Sequence, residues 1–134
     1  MENVTVLRSL EVFRTMPDRD LAKVASILKG KEVRGGEDIF REGELGNSLF
    51  IIMEGRVRVH LQGKQVAILG SGSLIGELAA LDGEPRSASV TALNDTFLLE
   101  LNGIGLYQLM SDRVDVARGL IHILCQRVRS LLPK

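Results

Sequence analysis

The chain has 134 residues, 45% of them hydrophobic and 25% charged, with 17 Lys and Arg balanced by 17 Asp and Glu, enough for one domain with a real core. The neutral balance excludes the basic excess of a nucleic-acid surface, and 4% aromatic content without Trp provides no stacking platform for unpaired bases. One cysteine, no signal-like start and no apolar run near membrane-spanning length predict a cytoplasmic protein that inserts into no membrane.

Residues 1–30 read as helical. Leu7, Leu10, Val12 and Phe13 form one apolar group, and Pro17 and Asp18 suit the first turn of a second helix carrying Leu21, Val24, Ala25 and Leu28. Gly30 is placed to stop it. Residues 31–101 hold most of the glycines, set between short apolar runs. Val57 to Leu61 alternates apolar with polar, as a half-buried strand does, and Phe50 to Met53 is continuous, as in a strand covered on both sides. Val66 to Leu69, Ser89 to Leu93 and Thr96 to Leu101 are further strands. Short strands with glycine turns predict a small antiparallel roll or barrel.

Residues 102–134 turn helical again. Val114, Ala117, Ile121, Leu124, Val128 and Leu131 fall on one heptad-like seam, which either covers the roll or meets its copy in a homodimer. Cys125 lies within this apolar pattern and is expected to be a buried thiol. The order of helices, strands and helices describes one α+β domain spanning 1–134.

The chemistry concentrates in residues 76–90, GELAALDGEPRSASV. After Leu74 and Ile75 a strand is predicted to end at Gly76. Glu77 to Leu81 has about one turn of helix propensity, ended by Asp82-Gly83-Glu84-Pro85. The first turn of a helix leaves outward amides, and glycine lets an anion come close to them. Arg86 can give two parallel donors to the same anion, with Ser87 beside it, while Glu77 suits a sugar hydroxyl. One anion and one hydroxyl describe a nucleotide with a single phosphate charge. The alternative is a structural ion pair between Glu77 and Arg86 that closes the loop, and the residues alone leave both open.

This segment resembles the phosphate-binding cassette of the cyclic nucleotide-binding domain family, roughly G-E-L/M-A-x-L-x-G-x-P-R-x-A-x-V, at every fixed position. Gly36, Ile39, Gly43, Phe50-Ile51-Ile52 and Gly55-Arg56-Val57-Arg58-Val59 look like the family's first strands. The resemblance implies an eight-stranded antiparallel, jelly-roll-like β-roll over 31–101, with its cassette at 75–90. N-terminal helices within 1–30 and C-terminal hinge and lid helices within 102–134 would flank it.

By position, Glu77 would accept the ribose 2′-hydroxyl and Arg86 would pair with the cyclic phosphate. Amides of Leu78, Ala79, Ser87 and Ala88 would complete the cradle, with Gly76 next to the ribose. Val59, Leu61, Val66 and Ile75 look like base-facing positions, and Ile121, His122 and Cys125 stand nearest the lid position, where the last helix has no aromatic residue. Ser87 is compatible with either base; cAMP is favoured and cGMP is the alternative. The implied function is a regulatory sensor whose C-terminal helix moves on binding, acting on an effector domain or partner protein that this chain does not contain.

Two rivals follow from the same residues. A metal-dependent enzyme on a β-roll needs clustered ligands, and His60 and His122 are the only histidines. No serine has a plausible histidine base or a G-x-S-x-G turn, so neither an enzyme nor a metal site is expected. The second rival is a degenerate member of the same fold that serves as a docking module; such members usually lose the glutamate or the arginine, and both are present here.

Overall fold

The computed structural model describes residues 2–132; Met1, Pro133 and Lys134, at the ends of the expected domain, lie outside the described residues. The described chain runs through α1 (Glu2–Ser9), a 3-10 turn (Glu11–Phe13) and α2 (Asp18–Ile27) into the strands β1 (Lys29–Val33), β2 (Asp38–Phe40), β3 (Ser48–Glu54), β4 (Val57–Leu61), β5 (Lys64–Leu69) and β6 (Leu74–Ile75). It continues through α3 (Glu77–Asp82), β7 (Ser89–Ala92), β8 (Thr96–Asn102), α4 (Gly103–Asp112) and α5 (Val114–Ser130). Two compact units result, residues 27–106 and a helical unit of 2–26 with 107–132.

Residues 27–106 form the expected eight-stranded antiparallel β-roll, as two sheets of order β1-β8-β3-β6 and β2-β7-β4-β5. The continuous apolar run of β3 is central: residues Ser48 to Met53 are all buried, and β3 pairs with both β8 and β6. Phe50 and Ile52 join Val33, Ile39, Val57, Ile75, Val90, Ala92 and Leu98 in one hydrophobic core. Burying each Val, Ile, Leu or Phe side chain of this core contributes about 1.5–3 kcal/mol.

Gly30 does not stop the second helix. α2 already ends at Ile27, and Gly30 lies inside β1 opposite Leu99. A Cβ at Gly30 would come within 3.1 Å of the Phe97 ring, so the glycine lets an aromatic ring cross the strand. β1 is exposed except for Val33; strand pairing with β8, not an apolar pattern, defines it.

In the helical unit, Leu7, Leu10, Val12, Phe13, Met16, Leu21 and Val24 are buried, as are Val116 and Leu120 of α5. The expected seam is therefore not the buried face. Val114, Ile121, Val128 and Leu131 are exposed, and so is Cys125, which corrects the expectation of a buried thiol. The helix carries apolar residues on more than one face, and packing selects the row through 116 and 120. No helix among the described residues is long and apolar enough to cross a membrane.

One residue, Arg113, separates α4 from α5 in an extended conformation (φ −136°, ψ 99°). Its guanidinium bonds both carboxylate oxygens of Asp115, at 3.1 and 2.8 Å, and reaches Asp20 of α2 at 3.4 Å. Thr15 donates to the same Asp115 carboxylate at 3.0 Å. The Arg113 hydrogen bond, with that of Thr15, holds Asp115 below the usual carboxylate range.

Candidate functional site

Gly76 and Arg86 lie ten residues apart but meet in space. Gly76 caps α3 in the left-handed region (φ 77°) and turns the chain out of β6. Its carbonyl accepts from Arg86 Nη1 at 3.1 Å, and the Ser48 carbonyl accepts from the same nitrogen at 2.7 Å. The loop carrying Arg86 is fixed by its backbone as well: the Arg86 amide donates to Glu44 O and the Gly43 amide to Arg86 O, both at 2.8 Å.

Arg86 is 7% exposed and Glu77 is 6% exposed. Two buried, oppositely charged side chains in a six-residue helix and the following loop are costly unless solvated by the protein or a ligand. Burial pushes the Arg86 guanidinium below its usual range, opposed by the charges of Glu100, Glu44 and Glu77; an arginine nonetheless stays charged at neutral pH. The guanidinium carbon lies 4.3 Å from the Phe40 ring centroid and 5.8 Å from that of Phe50, a contribution of about 0.5–2 kcal/mol.

The other edge of the guanidinium faces Gly46. A Cβ there would lie 2.9 Å from Nε and 3.0 Å from Nη2. Nη1 is thus engaged by carbonyls, and the Nε–Nη2 edge, which is able to hold an anion with two parallel bonds, is bordered by a residue without a side chain. Within α3, the Ala80 amide reaches Gly76 O at 3.3 Å, so the Leu78 and Ala79 amides are first-turn donors that the helix does not use. A buried cation, two adjacent amides and a carboxylate suit a monoanionic ester carrying a hydroxyl.

The structure brings Gly76, Glu77, Leu78, Ala79 and Arg86 together. Ser87 is exposed and Ala88 half-buried on the loop leading into β7. Ile75 is buried in the core and Val59 packs against it, whereas Leu61 and Val66 are exposed on the β4–β5 hairpin. Ile121, His122 and Cys125 are exposed on α5. Phe40, Ser48 and Gly46 are site residues that sequence reasoning missed. The closely spaced Gly43 and Gly46 were the available signal, because paired glycines ahead of a strand mark close backbone approach.

A family model for the cyclic nucleotide-binding domain matches residues 30–113. The cyclic AMP receptor protein of Thermus thermophilus is 39% identical over 99 residues, covering 70% of this chain and 46% of the relative. A cyclic nucleotide-gated potassium channel of Rhizobium etli is 32% identical over 120 residues, covering 90% of this chain and 34% of the channel. The regulatory domain of Toxoplasma gondii PKA, solved with cAMP, superposes with a TM-score of 0.72 at 28% identity, covering 81% of this chain and 43% of that one. The chain belongs to the cyclic nucleotide-binding domain family. It spans less than half the length of these relatives.

Proposed function

We propose that the chain binds a cyclic nucleoside monophosphate as a regulatory sensor, with cAMP favoured over cGMP. The observation that carries this reading is the buried Arg86 guanidinium, gripped from one side by two carbonyls and bordered on the other by Gly46. Arg86 takes the cyclic phosphate, the Leu78, Ala79, Ser87 and Ala88 amides share its charge, and Glu77 takes the ribose 2′-hydroxyl. Ile75 and Val59 support the base, with Leu61 and Val66 on the hairpin above it. Similarity to the Thermus cyclic AMP receptor protein and to the Toxoplasma domain solved with cAMP favours adenine.

Binding is coupled to movement of α5, and the residues available as a lid are Ile121, His122 and Cys125. The exposed apolar row of α5 supports a helix with more than one resting place, and a move at the α4–α5 joint has to release the Arg113 contacts to Asp115 and Asp20. A ligand shifts such an equilibrium only through differential affinity for the two positions. The test is a calorimetric titration of nucleotide-stripped protein with cAMP and cGMP, with hydrogen exchange on the saturated sample. Micromolar or tighter binding, stronger for cAMP, with altered exchange over 112–132 is the expected result. Absence of heat with both nucleotides on folded protein leaves the docking-module reading, and heat without altered exchange removes the helix movement.

In place of the lid, the same row offers a dimer seam as the alternative. Val114, Ile121 and Val128 recur every seven residues and are 61%, 59% and 58% exposed, a self-complementary pattern for a second copy of this helix. Sedimentation is expected to give a dimer that Ile121→Glu converts to monomer. A monomeric wild type at high concentration refutes the seam.

A further inference from the structure

The segment between β2 and β3 does more than border the guanidinium. Glu42, two residues before Glu44, makes a reciprocal pair with Ser89: its amide donates to Ser89 Oγ at 3.0 Å, and the Ser89 hydroxyl donates to Glu42 Oε1 at 3.3 Å. The same carboxylate oxygen accepts the Gln62 amide at 3.0 Å. Ser89 is 6% exposed and opens β7, three residues after Arg86. Gln62 sits at the tip of the β4–β5 hairpin, and with φ 52° it is the one non-glycine at positive φ among the described residues.

Gly63 follows at φ 81°, so the hairpin closes through a two-residue turn with both central residues left-handed. Such a turn suits the twist of the strands but is strained for glutamine, and its first central amide points away from the hairpin ladder. The Glu42 carboxylate supplies a charged acceptor for that amide. Residues 42–44 therefore hold the Arg86 loop at one end, through the Gly43 and Glu44 backbone, and the hairpin tip at the other, through one side chain.

We propose that Glu42 is a positioning residue of the nucleotide site: it ties the phosphate cassette to the β4–β5 hairpin, so that an anion engaged at Arg86 steadies the turn at Gln62 and Gly63. The proposal rests on the nucleotide-binding reading and extends it from the phosphate side to the hairpin that carries Leu61 and Val66.

The experiment combines calorimetry with residue-level amide exchange, with and without saturating cAMP, on wild type, Glu42→Ala, Glu42→Gln and Ser89→Ala. Wild type is expected to gain protection both in 76–88 and at Gln62 and Gly63. Glu42→Ala binds cAMP about five- to tenfold more weakly and, at saturation, keeps the gain in 76–88 while losing it at the turn. Glu42→Gln, whose amide oxygen accepts the same bonds, recovers most of it, and Ser89→Ala, which cuts the cassette end of the link, gives an intermediate loss. These last two carry the test if Glu42→Ala fails to fold. Equal protection at the turn in all four proteins, with cAMP bound, overturns the proposal and leaves the nucleotide reading standing. No heat from wild type with cAMP or cGMP overturns both.

Discussion

Arg86→Ala is expected to weaken cAMP binding by about thirty- to several-thousand-fold, the range for removing one partner of a buried charged contact, about 2–5 kcal/mol. The structure adds a stability effect that binding alone does not require. Nη1 holds the Ser48 and Gly76 carbonyls, and the guanidinium lies over Phe40. Each buried acceptor that loses its donor costs about 1–3 kcal/mol, and a domain of this size loses about 3–5 °C of melting temperature per kcal/mol. A fall of several degrees in a thermal melt is therefore expected together with the loss of calorimetric heat. Arg86→Lys keeps the charge but not the planar fork, so it recovers little of either. An Arg86→Ala protein that binds cAMP within threefold of wild type removes Arg86 from the phosphate site.

Gly76→Ala is expected to do comparable damage by a different route. At φ 77° any residue with a Cβ adopts a left-handed conformation that costs about 1–2 kcal/mol. The added carbon would stand 2.6 Å from Arg86 Nη1, 3.0 Å from the Ser48 carbonyl and 3.2 Å from the Phe40 ring. The guanidinium must leave its carbonyls, so affinity and melting temperature fall together. Gly36→Ala separates the two causes: its φ is 91°, yet nothing lies within 4 Å of the new carbon. That variant is expected to melt lower with unchanged cAMP affinity. If both variants lower stability but neither alters affinity, the close approach of Gly76 to Arg86 has no part in binding.

Both results depend on a glycine and an arginine that the sequence already placed in one cassette. The helical turn, the roll and the existence of strands such as β3 and β4 were also legible, because an alternating run and a continuous apolar run each mark a strand. β1 was not legible. Its residues Lys29, Gly30, Lys31 and Glu32 are exposed, so its pattern carries no signal, and only the ladder to β8 makes it a strand.

The helical seam was legible but ambiguous. α5 carries apolar side chains around enough of its circumference that rows through 114, 121 and 128 or through 116 and 120 each fit a helical spacing. Periodicity measures whether a face exists, not which face meets the core. Burial of Val116 and Leu120 and exposure of Cys125 are decisions of packing.

The sequence by itself determined the kind of fold and placed Gly76, Glu77 and Arg86 in one short segment, because those depend on local spacing. Tertiary structure alone decided what surrounds Arg86, namely the Ser48 carbonyl, the Phe40 ring and the bare edge at Gly46, and it alone made the Glu42 link to Gln62, because these segments meet only when the chain folds. Contacts between residues tens of positions apart leave no period in the chain, and the energy of a buried charge is set by those contacts.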